Sequence, residues 1–205
     1  IYDFTPRITI FTDNITTLES LLIYAMKTIT YQSDYLGNGF EFATINQPDD
    51  YEGKVVATVI RKQCSMPSNK AVLYVHGFND YFFQSDMAHR FNEKEYHFYA
   101  IDLRKYGRST LPHHKSNNMR SLTEYFADLD EALDIVRQEG NEQVLLSGHS
   151  TGGLLVTLYA SERVGNEKFD TIFCNSPFYD MNMPGYQKRL LVPLVALFGK
   201  YFPDV

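Results

Sequence analysis

Gln143-Val144-Leu145-Leu146-Ser147-Gly148-His149-Ser150-Thr151-Gly152-Gly153 is the stretch that decides the fold. It reads as a short apolar run, a tight turn over Gly148 to Gly152, and an apolar helix starting near Leu154. The turn matches G-x-S-x-G in the strand, turn and helix context that this motif requires. A serine at the tip of so sharp a corner needs neighbours without a Cβ, so that backbone and adjoining strands can pass close by. Ser150 is therefore expected at the exposed carboxyl edge of a sheet. Its hydroxyl is a weak nucleophile at neutral pH and depends on an adjacent base and on N–H donors for an oxyanion; the turn supplies one donor, the Thr151 N–H. The alternative is a glycine-rich corner whose serine merely caps the helix.

Outward from this corner, the chain has the bulk for one α/β domain. It has 205 residues, 44% apolar and 15% aromatic, enough for a sizeable core and against disorder. The net charge of -6 is scattered, with no Lys/Arg cluster, which argues against nucleic acid as a partner. No apolar run reaches membrane-spanning length. Cys64 and Cys174 lie far apart without C-x-x-C spacing, so neither a disulfide framework nor a zinc site is expected. The first residue is Ile1 rather than Met, so the given sequence is not expected to start at the true amino terminus; no secretory leader is visible in it, and a cytoplasmic location is the default expectation.

Thr16 and Glu19 have capping-box spacing before a helix with Leu18, Leu21, Leu22, Ala25 and Ile29 on one face. Residues 40–45 and 54–61 form β-rich runs around Pro48 to Gly53, the pattern of an antiparallel hairpin. From Lys70 strands alternate with helices: strands at 71–75, 96–101, 143–147 and 169–175, and helices at about 81–92, from Ser121 to near Gly140, and after the elbow to about Arg163. Ser121 and Glu124 make a second capping box. Residues 187–202 are apolar and helical in pattern, with Pro193 in the first half. Such alternation predicts a parallel sheet with helices on both faces and a ligand crevice at the carboxyl strand ends. His76-Gly77, Asp102 to Ser109 and Gly148 to Gly152 all fall at such ends.

Val75-His76-Gly77-Phe78, Asp102-Leu103-Arg104-Lys105-Tyr106-Gly107-Arg108-Ser109 and Gly148-His149-Ser150-Thr151-Gly152-Gly153, in this order and spacing, resemble the α/β-hydrolases from about residue 38 to residue 180. The closer resemblance is to the branch of serine aminopeptidases, monoacylglycerol lipases and lysophospholipases. Lys105 departs from the pattern, since relatives usually carry glycine there. The resemblance implies Ser150 as nucleophile and the N–H groups of Phe78 and Thr151 as the oxyanion hole. His76 and Gly77 would hold the loop that bears Phe78, with His149 packed beneath the nucleophile and Gly148 and Gly152 supporting the turn. It further implies an ester hydrolase acting on a monoacylglycerol, lysophospholipid or similar small acyl ester through an acyl-enzyme, without metal or cofactor. An aminopeptidase of the same fold, or a non-catalytic binding member lacking the base, are the alternatives.

The family's acid and histidine follow the serine in the chain. No histidine follows Ser150, and Asp170, Asp180 and Asp204 are not at the expected strand ends. The sequence is therefore expected to be the amino-terminal part of a longer enzyme, holding the first six of about eight strands. Its divisions would be a lead and helix over 1–37, the core over 38–180, and the start of a cap over 181–205. The edge of the sixth strand would need covering by the missing segment or another chain. Adjacent His113 and His114 lack companion ligands and read as a loop, Asp80 reads as a helix cap, and Phe82-Phe83 as core.

Overall fold

A computed structural model describes residues 29–202, apart from 164, 166 and 167. The described residues from Tyr31 onward belong to one compact unit. The capping box at Thr16 and Glu19, its helix and Asp204 lie outside the described residues.

The strands are β1 (Gln32–Ser33), β2 (Glu41–Asp50), β3 (Gly53–Lys62), β4 (Lys70–Val75), β5 (His97–Asp102), β6 (Gln143–His149) and β7 (Thr171–Asn175). They form a seven-stranded sheet in the order β1-β2-β3-β5-β4-β6-β7. Pairings from β1 to β5 along that order are antiparallel, and those among β5, β4, β6 and β7 are parallel. The helices are α1 (Ser85–Asn92), α2 (Phe126–Gln138), α3 (Thr151–Glu162) and α4 (Gly185–Tyr201). This is the mixed sheet of the α/β-hydrolase fold, with the parallel half carrying the crossover helices.

Alternation along the strands sends side chains to two apolar layers. Val72, Tyr74, Phe98 and Ala100 pack with Phe82 and with Ala88 of α1 on one face. The intervening Tyr99 points the other way, where its hydroxyl donates to Glu139 just beyond α2 (2.6 Å). α3 joins α2 on that side through the Tyr159 hydroxyl donating to Asp130 (2.7 Å) and a perpendicular Phe126–Tyr159 ring contact. The strand β4 at the centre is buried on both faces, which is why its sequence is an unbroken apolar run.

Four local expectations are corrected. The helix expected from Tyr81 starts at Ser85, because the Phe82 N–H is taken by Asp102 Oδ1 (2.8 Å) and its carbonyl by Arg108 (3.0 Å). Asp80 caps no helix: its carboxylate accepts from the Tyr81 N–H, and the α1 amino end has no side-chain cap. Phe82 is core as expected, but Phe83 is half exposed and lies against Tyr81. β2 runs on through Pro48 to Asp50, since a register shift between Gln47 and Asp50 lets a residue without an N–H stay in the strand. The two-residue β1 was not legible as a strand. The Ser121 and Glu124 capping box is present, opening a 3-10 turn that runs into α2.

Candidate active site

Ser150 stands between β6 and α3 at φ 53° and ψ -119°. A left-handed serine here is strained, and the surrounding backbone shows what holds it. The Ser150 N–H donates to the Asn175 carbonyl at the end of β7 (3.1 Å), and the Ser150 carbonyl accepts from Phe178 N–H (2.9 Å). A Cβ on Gly152 would collide with the His76 and Val75 carbonyls, and one on Gly148 with the Gly152 backbone. A Cβ on Gly77 would sit 3.2 Å from that of Ser150. The corner is thus packed against the ends of β4 and β7. The Ser150 side chain makes no cap hydrogen bond to α3, and among the described residues its hydroxyl has no partner. The helix-capping reading is not what the geometry shows.

The Thr151 N–H is the first of α3, where the helix leaves its amides unpaired, and Phe78 follows buried Gly77 at the end of β4. His76, 1% exposed, links these ends. The Leu103 N–H donates to its Nε2 (3.2 Å), so the proton sits on Nδ1, which donates to the Gly77 carbonyl (2.8 Å). Burial pushes its pKa below the ordinary value, so the imidazole is neutral. Both nitrogens are occupied in holding loops. His149 is half-buried, with its ring nitrogen near Gly77.

The run after β5 is a brace. Asp102 accepts from the Phe82 N–H and from Arg108 (2.8 Å), whose guanidinium also grips Asp34 (2.7 Å). Arg104 makes a buried pair with Asp128 of α2 (2.6 Å). The Ser109 hydroxyl donates to the Asp102 carbonyl (2.7 Å). The sequence marked this run as family-like but gave its residues no roles; the charges flanking Leu103 and Tyr106 were the available signal.

Beside the elbow lies a cavity of about 210 Å³. Phe78, Thr151, Tyr106, Met119, Leu155 and Phe178 are among its lining. A larger recess of about 920 Å³ is lined by Lys62, Asp86, His89, Arg90 and Glu93. Lys62 pairs with Phe98 near the amino end of β5, so that recess is at the far end of the sheet from Ser150. His113 and His114 both reach the Lys54 carbonyl (3.0 and 2.9 Å) on an exposed loop. Among the described residues no cluster of three or more His, Cys, Asp or Glu side chains suits a metal ion, and none of the helices is long and apolar enough to cross a membrane.

A family model described as serine aminopeptidase, S33, matches residues 66–205. Epoxide hydrolase 4 of Mus musculus is 33% identical over 89 residues, covering 43% of this chain and 23% of that protein. Among solved structures, a monoacylglycerol lipase of Paleococcus ferrophilus superposes with a TM-score of 0.57 at 24% identity, over 72% of this chain and 53% of that one. A thermostable carboxyl esterase of Bacillus coagulans, in complex with glycerol, gives 0.60 at 17%, over 78% and 51%. The chain therefore spans about half the length of these structures and less of the curated relative. With the elbow, the seven-stranded sheet and a family match running over most of its length, the chain belongs to the serine aminopeptidase S33 family of α/β-hydrolases.

Proposed function

We propose that this chain is the amino-terminal part of a serine hydrolase that cleaves a small acyl ester, a monoacylglycerol or lysophospholipid or similar, through an acyl-enzyme on Ser150. The observation that carries this is the strained, uncapped Ser150 beside an apolar cavity of about 210 Å³ that also meets Phe78 and Thr151. In this reading Ser150 Oγ attacks the ester carbonyl, and the oxyanion is held by the Phe78 and Thr151 N–H groups. The acyl chain enters the cavity, and the alcohol leaves with the proton that the base took from Ser150. The monoacylglycerol lipase and esterase neighbours support an ester substrate.

The base and the acid that fixes its tautomer are assigned to sequence beyond residue 205, since His76 is fully engaged. Residues 38–180 are then the core and 181–205 the start of a cap. The same continuation would cover β7, which among the described residues pairs on one side only, and α4, which among them buries none of its residues. Two free thiols fit the cytoplasm, where we place the protein.

An epoxide substrate fits less well. Serine attack on an epoxide gives an ether, which has no carbonyl for water to attack, so the likeness to epoxide hydrolase 4 is read as shared fold. An aminopeptidase would need an acidic group in the cap to hold the substrate amine; the mostly apolar lining of the cavity beside Ser150 favours an acyl chain instead.

The test is intact mass spectrometry of the full-length protein with a fluorophosphonate, beside Ser150→Ala. One adduct that the variant lacks is expected, with turnover of p-nitrophenyl esters. An unmodified wild-type protein would count against the hydrolase and for a binding role.

A further inference from the structure

Lys105 keeps a backbone that glycine adopts freely and that a residue with a side chain rarely does, at φ 66°. A residue with a Cβ is disfavoured there, and a fully buried ammonium is disfavoured anywhere unless paired. Lys105 is 0% exposed. Its Nζ lies 2.7 Å from Asp50 and 3.0 Å from Glu52, and 4.1 Å from the centre of the Tyr51 ring. Tyr51 and Glu52 form the turn joining β2 and β3, and Asp50 is the last residue of β2 before it.

The same turn grips the other end of the loop that Lys105 opens. Asn118 donates to Glu52 (2.7 Å), the Tyr51 hydroxyl donates to the Asn118 carbonyl (3.3 Å), and Arg120 stacks on Tyr51 (3.8 Å). The loop is closed across its base by the Asn117 N–H donating to the Lys105 carbonyl (3.0 Å). Tyr106 and Met119 are the immediate neighbours of these grip points, and both line the cavity beside Ser150.

We propose that Lys105 is a positioning residue: pinned by Asp50 and Glu52, it holds Tyr106 and Met119 in the cavity lining and so sets the length of acyl chain the site accepts. The inference rests on the reading of this cavity as the acyl site. A glycine would allow the same turn but could not tie the loop to the hairpin. Lys105 touches no substrate in this account and acts only through its neighbours.

The test uses the full-length protein and straight-chain carboxylates from butanoate to tetradecanoate, titrated by calorimetry, with fluorophosphonate labelling of Ser150 followed separately. Lys105→Met keeps the aliphatic stem and removes the charge. It is expected to move the chain length of tightest binding by about two carbons and to weaken the original optimum about tenfold, the scale of a methylene misfit in an apolar site. Glu52→Gln, a milder change that serves if Lys105→Met does not fold, should move the profile the same way, and the two together should be less than additive. A lower Tm with an unchanged length profile would make Lys105 a structural residue only and overturn the proposal, as would a wild-type protein that binds none of the carboxylates. Labelling at Ser150 with an unmoved profile sinks this inference and leaves the hydrolase standing; a moved profile without labelling does the reverse.

Discussion

At the scale of single residues, the site is made by what cannot fit. Gly152 passes so close under the carbonyls of Val75 and His76 that any side chain must displace β4 or the elbow. Gly152→Ala is expected to cost about 3 kcal/mol or more in urea unfolding, the range of backbone collisions in a packed core. His76 gives a pH prediction. Its folded pKa lies below the ordinary value because burial disfavours the cation, while the unfolded imidazole still takes up a proton near 6.5. The unfolded state then binds more protons, so this contribution is complete above about pH 6.5 and is lost as the pH falls towards the folded value. Unfolding free energy measured between about pH 7 and pH 5.5 should fall less steeply in His76→Asn than in the wild type.

Between elements, charge does the pinning. Arg104 and Asp128 tie the end of β5 to the first turn of α2, with side chains 7% and 0% exposed. Removing one partner strands the other, so Asp128→Ala should destabilise by about 3–5 kcal/mol. The exposed Arg90–Glu93 pair is the control, and Glu93→Ala should stay within about 1 kcal/mol. The hairpin clamp has its own pH signature. Burial pushes the Asp50 and Glu52 carboxyls up, but hydrogen bonds and the Lys105 ammonium outweigh it and hold both below the usual range. Their stabilising effect is present above the ordinary carboxyl pKa of about 4 and lost as pH falls through the lower folded values. Amide exchange in residues 104–120 should therefore accelerate, relative to α2, as the pH falls below about 4, once the intrinsic pH dependence of exchange is divided out.

Across the molecule, the sheet ends on an edge that invites company. Among the described residues β7 pairs only with β6, its Phe173 is 55% exposed, and α4 carries Leu190, Val195 and Phe198 in the open. A free parallel edge beside an apolar helix is a site for association. Residues 1–205 produced alone should elute in size exclusion well above their 23.7 kDa. Charged replacements at Leu190 and Val195 should lower the apparent size, whereas a monomeric elution at all concentrations would show that these surfaces are satisfied within the chain.

The sequence by itself determined the order of elements and the corner at Ser150, because burial on two faces forces unbroken apolar strands and a tight strand-to-helix turn forces glycine. Period, punctuation and motif spacing are local, and local physics writes them into neighbouring residues. Other features were decided only by the tertiary structure. The delayed start of α1 comes from Asp102 and Arg108 claiming Phe82 from a distance. Glu52, Lys105 and Asn118 read separately as ordinary polar residues, and they become a clamp only when the β2–β3 turn meets the loop after β5. The tautomer of His76 depends on Leu103, at the end of the neighbouring strand. Each of these is a pairing between residues far apart in the chain. Such partners leave no periodicity to read, and the energy that fixes them exists only once the sheet has brought them together.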